Sequence, residues 1–217
     1  MIRPKQINNQ PGAVMITEYR NLRDAAEKGG FFDRLAAIYV EMDRAYDAVA
    51  DQYGFSCTGC VDNCCMTRFH HHTAIEYTYL VRGFMDLPRD RRSECMERAS
   101  AYNREMKRVL AENGSFSRMC PLNENGFCLL YSRRPMICRL HGIPHEIAPP
   151  GRAKTYGAGC GAFEAQCGKG VYHPFDRTPF YTAMADLERR FKDAAGISEK
   201  VKMTVAEMLS SVAEHAP

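Results

Sequence analysis

Tryptophan is absent from this 217-residue chain, and no run of apolar residues approaches the 18 or so that a membrane-crossing helix requires. The opening MIRPKQINNQPG carries no apolar core of the secretory kind. The expected location is therefore the cytoplasm, with no membrane partner. An excess of either charge is also missing: 29 Lys+Arg against 26 Asp+Glu leave a formal +3. A dedicated nucleic-acid binder usually carries a much more basic balance, so no nucleic-acid partner is expected. The sequence contains no GxGxxG, P-loop, HExxH or GxSxG pattern, which removes the common nucleotide-binding and hydrolase chemistries. Internal repeats and low-complexity tracts are lacking too.

What the chain has in excess is cysteine, ten in all. Disulfides would suit an exported chain with too little core, and neither description fits here. The adjacent pair Cys64-Cys65 further disfavours routine bridging, because neighbouring cysteines rarely reach disulfide geometry with each other. Metal ligation is the better expectation. In C57-T-G-C60-V-D-N-C64-C65, Gly59 lets the backbone turn tightly so that Cys57 and Cys60 can face one cation, and Cys64 or Cys65 closes the grip. In C120-P-L-N-E-N-G-F-C128, the Asn-Glu-Asn-Gly stretch predicts a hairpin tip that draws Cys120 and Cys128 together. Pro135 then bends the chain ahead of Cys138, with Arg133, Arg134 and Arg139 nearby to balance thiolate charge. Arg134 or Arg139 could equally meet a carboxylate such as Glu76. Cys160 sits among glycines in G157-A-G-C160-G, as expected where backbone passes close to a buried inorganic centre, and is the expected last ligand.

These blocks resemble the bacterial cysteine-cluster proteins known for a CxxCxxCC motif and described as a zinc- or iron-chelating domain. The resemblance rests on Cys57, Cys60, Cys64 and Cys65, on the Cys-Pro start at Cys120, and on C128-L-L-Y-S-R-R-P-M-I-C138-R, which is similar to the family's C-x-x-Y-x-x-R-P-x-x-C-R block. Cys160 matches the final family cysteine. About half the chain is covered, from Phe55 to Glu164. One spacing departs: three residues, not two, separate Cys60 from Cys64. The resemblance implies metal or iron–sulfur binding, and some relatives are associated with lysine methylation of flagellin.

Zinc and iron–sulfur clusters both accept four thiolates. The all-cysteine ligand set, with Cys-Pro, glycines and arginines around it, tilts the reading toward a [4Fe-4S] cluster. One centre or two can be built from eight ligands. The function expected first is an iron–sulfur protein with an electron-transfer or accessory role and a redox partner. A binding module stapled by zinc on a structural four-cysteine site and a protein-modifying enzyme of the lysine N-methylase kind, acting on a protein substrate, are the alternatives.

Two cysteines stand outside this set. Cys95 reads as an ordinary helix residue, and Cys167 lies beyond the family pattern. His70, His71 and His72, with His141 and His145 of HGIPH, could line a second site, but a polar strand end with exposed rings is the favoured reading.

The expected fold is mainly α and a single domain over 1–217, with helices packed around an irregular, loop-rich cysteine centre at about 55–167 and a few short strands. Four to six helices are expected. Leu35, Ile38, Met42, Tyr46, Val49 and Tyr53 make one helical stripe, preceded by a break at Gly29-Gly30 and stopped by Gly54. Residues 65–71 suggest a short strand, and further strand is expected around Leu140 to Ile147. Thr73-Ala-Ile-Glu76 is a capping-box pattern that starts a helix, and Pro88 opens another that runs to about Glu112. Phe180, Met184, Leu187 and Phe191 form a later stripe; Val201, Val205, Met208 and Val212 form the last.

Overall fold

In a computed structural model describing residues 11–57, 64–168 and 170–213, Gly29 and Gly30 divide the first helical run as expected. Helix α1 spans Pro11–Lys28 and α2 spans Phe31–Tyr53. Gly30 adopts φ 62°, a left-handed conformation that only glycine enters readily. Gly54 ends α2 with φ 65°, its N–H bonded to Asp51 O, while the Phe55 N–H reaches back to Ala50 O at 2.9 Å. Both bonds of a Schellman closure are therefore present, and they aim the chain into the first cysteine segment.

Helix α3 (Ala74–Met85) and α4 (Arg89–Ala111) follow, then the hairpin strands β1 (Asn123–Glu124) and β2 (Phe127–Cys128). The middle of the chain continues with α5 (Met136–Arg139), β3 (His145–Ile147), β4 (Thr155–Gly157) and α6 (Gly161–Cys167). Helices α7 (Thr178–Ala195) and α8 (Val205–Ala213) complete a mainly α fold whose only sheets among the described residues are two antiparallel pairs, β1-β2 and β3-β4. Helices α1, α2, α3 and α7 pack on one another, and α8 lies between this group and α4. Leu35 and Met42 of α2, Ile75 and Leu80 of α3, Phe191 of α7 and Met208 of α8 are fully enclosed in the shared core. No helix among the described residues is long and apolar enough to cross a membrane.

Two local expectations need correction. Residues 65–71 are not a strand: Cys64–Met66 is a single 3-10 turn, and only His71 pairs, antiparallel with Met203. The capping box at Thr73 also fails in its partners. Thr73 gives its hydroxyl to Glu76 itself (2.7 Å), and the free N–H groups of Ala74 and Ile75 are met by Glu188 of α7 at 2.8 and 3.1 Å. A carboxylate 113 residues away thus caps the helix that the local pattern correctly starts.

Candidate metal centre

Three separated segments converge beside α3 and α8. Cys57 follows α2, Cys64 and Cys65 share one 3-10 turn, and the Cys120 N–H donates to Cys65 O at 2.8 Å, which stitches the first segment to the second. The hairpin then forms as its sequence demands. Asn125 (φ 52°) and Gly126 (φ 89°) are the two left-handed residues of a tight type I′-like turn, and Cys128 lies opposite Asn123. Cys138 is carried by α5.

Cys57, Cys64, Cys65, Cys120, Cys128 and Cys138 all stand in the wall of one cavity of about 320 Å³. Their electrostatics are shared. The thiols of Cys64 and Cys120 are hydrogen-bonded to Cys65, so the Cys65 thiol is held well below the ordinary range while those of its two neighbours are pushed up. Burial raises Cys128, to about 11, and Cys138. Arg134 is the cation that faces Cys65, Cys128 and Cys138 and favours their thiolate forms. Its guanidinium lies 3.9 Å from the Tyr131 ring centre and 3.5 Å from Asp43, and its Nε is buried with no hydrogen-bond partner among the described residues.

The remaining predicted ligands are placed differently. Cys60 lies outside the described residues. Cys160 does not line the cavity; it precedes α6, gives its N–H to Gly142 O at 2.8 Å, and with Cys57 acts electrostatically on Tyr46. The glycines around it leave room for aromatic rings: a Cβ on Gly157 would strike His145, and one on Gly159 would strike Phe163. Cys95 is fully buried in α4 against Arg98 (3.1 Å), and the Cys167 thiol donates to Tyr53 O at 3.5 Å. Among the described residues, no three His, Cys, Asp or Glu side chains are gathered in a group that could hold a metal ion.

Carboxylates hold the frame around the sulfurs. Glu76, buried on α3, accepts from Tyr39 Oη (3.0 Å), Thr73 Oγ1 (2.7 Å) and the Met136 N–H (2.6 Å), and the last of these pins the start of the helix that bears Cys138. It is not the partner of the arginines. Arg134 and Arg139 both pair with Asp43 of α2, because Arg139 folds back over the Tyr39 ring (4.0 Å) and donates to the Arg134 and Ser132 carbonyls. Asp43 occupies an amphipathic helix where it reads as a solvent-facing charge, and no local signal marks it.

The histidines divide. His70 is half-buried, His72 is exposed, and His71 is buried in the cavity wall, contrary to the exposed strand end expected. His141 packs its ring against Phe69 at 5.2 Å. Burial lowers His71 from 6.5 to about 4, so the folded state resists protonation. Its contribution to stability is complete above pH 6.5 and is lost as pH falls toward 4. A His71→Leu variant is expected to lose this part of the acid slope, a difference of about 3 kcal/mol between pH 7 and pH 4 measurable by denaturant unfolding. An unchanged slope would place the ring in water.

Compared with models of protein families, with curated proteins and with solved structures, the chain shows no significant match.

Proposed function

We propose that this is a metal-binding cysteine-cluster protein whose cavity thiols hold a [4Fe-4S] centre, for electron transfer or an accessory role toward a partner protein in the cytoplasm. The observation that carries the reading is the convergence of six cysteines from three sequence segments on one cavity, with Arg134 facing them. Cys64, Cys65, Cys120, Cys128 and Cys138 act electrostatically on one another and would supply the ligands of the centre, with Cys57 beside them. The donors suit the group in kind, soft thiols in a partly dry pocket with a cation to offset their charge, and binding would have to gather them, since they form no ready-made metal group among the described residues. When bound, such a centre supplies one-electron chemistry.

A second reading has its own observation. The hydrogen-bonded contact of Cys64, Cys65 and Cys120 suits a compact zinc-thiolate site that staples the loops without redox chemistry. Iron, zinc and acid-labile sulfide measured on one anaerobically purified sample separate the two. Iron and sulfide in matching amounts are expected. Zinc without sulfide would overturn the cluster and leave the structural site, and the absence of all three would overturn both.

A further inference from the structure

The thiols account for only part of the cavity wall. Phe69, Leu80, Tyr102, Leu130 and Val205 also line it, side chains that a thiolate centre does not require. With them stands the imidazole of His71. Its main chain is locked by two hydrogen bonds to Met203, at 2.8 and 3.1 Å, and the residue is 3% exposed. Its ring nitrogens make no hydrogen bond to any described residue, although a neutral imidazole offers one donor and one acceptor. The ring nitrogens are not among the fully buried polar atoms, so they remain open to the cavity and can offer a donor or an acceptor to a molecule within it.

The space suffices. An apolar cavity of about 150 Å³ accommodates a benzene-sized molecule, and here the whole cavity measures about 320 Å³, so half of it is enough. Phe127 and Tyr131, 70% and 60% exposed, give the rim an apolar approach from solvent. The Arg134 charge is met by Asp43 and by the thiols, which leaves no uncompensated charge on the apolar lining.

We propose that the part of this cavity lined by His71 and its apolar neighbours is a binding site for a small, uncharged, mainly apolar molecule bearing one hydroxyl or carbonyl group, which hydrogen-bonds to His71. The site adjoins the proposed metal centre but rests on different residues, and each stands or falls alone.

The test uses the full chain, purified anaerobically with its metal content measured, and two probes: phenol, neutral near pH 7, and toluene, which has the same ring without the hydroxyl. Phenol is expected to bind saturably at one site and to shift the His71 ring nitrogen resonances. His71→Leu should weaken phenol at least tenfold and leave toluene binding within about twofold, a change of about 1.4 kcal/mol or more for phenol. No saturable phenol binding, or binding that leaves the His71 resonances in place, would overturn the proposal and assign the space to water. If His71→Leu fails to fold, the wild-type resonances decide alone. Phenol binding to a metal-free protein would keep this site and remove the centre; a loaded centre with no phenol binding would do the reverse.

Discussion

Cys65→Ser is expected to abolish binding of the proposed metal centre and to lower the soluble yield together. Cys65 is the sulfur on which the site turns: it is hydrogen-bonded to the thiols of Cys64 and Cys120 and interacts electrostatically with Cys128 and Cys138. Serine keeps the shape but does not ionise at neutral pH, so it cannot supply the thiolate that ligates a metal. Disturbing even the outer partners of a metal ligand typically lowers affinity by about 10–100-fold, and removal of a ligand does more. Residues 114–122 and 148–154 contain no helix or strand, and metal-binding free energy in such a region is also folding free energy. Cys95→Ala is the comparison. Cys95 is buried in α4 away from the cavity wall, so this variant should melt a few degrees lower and retain its metal in full. Metal analysis alongside thermal denaturation reads both; full metal in Cys65→Ser with loss in Cys95→Ala would invert the assignment.

Glu76→Leu is expected to destabilise the fold by about 3 kcal/mol or more, because each buried donor left without its acceptor costs about 1–3 kcal/mol. Three donors would be stranded: the Tyr39 hydroxyl, the Thr73 hydroxyl and the Met136 N–H. At about 2–4 °C per kcal/mol for a chain of this size, the melting temperature should fall by roughly 10 °C or more. The start of α5 would come loose with it, so metal content should fall as well. A melting temperature unchanged within about 2 °C would show that the carboxylate does not hold these donors. The pH dependence has a definite sign. Burial, stronger here than the three hydrogen bonds, raises Glu76 above its ordinary 4.5. Its contribution to stability is therefore greatest below pH 4.5 and is lost as pH climbs through the raised value; Glu76→Gln should flatten that part of the profile.

The helices are legible in the sequence because their signals are local. Gly29-Gly30, Gly54, Pro88 and Gly196 mark boundaries through backbone conformations that need only a few neighbours, and the Phe180–Phe191 stripe buries Met184, Leu187 and Phe191 on a single face. The turn at Asn125-Gly126 is legible for the same reason. The site is legible in its sulfurs and illegible in its frame. Spacing brings Cys120 toward Cys128, but nothing in spacing says that Asp43 holds Arg139, that Glu76 pins Met136, or that Glu188 caps α3. Those pairings join residues 60 to 114 positions apart and are decided by how helices pack. Alternation along a strand misplaces His71, because a single pairing with Met203 turns it inward. The glycines near Cys160 suggest room for a cluster and make way for His145 and Phe163 instead.

The cap that Glu188 provides bears on when the protein can first become itself. A ribosome delivers Cys57 through Cys138 well before it delivers Glu188 and Met203, yet the start of α3 and the setting of His71 wait for those two residues. A nascent chain therefore exposes its sulfurs before it owns the scaffold that arranges them. Acquisition of the proposed inorganic centre would belong after release from the ribosome, and the unfinished chain would depend during that interval on the reducing chemistry of its surroundings.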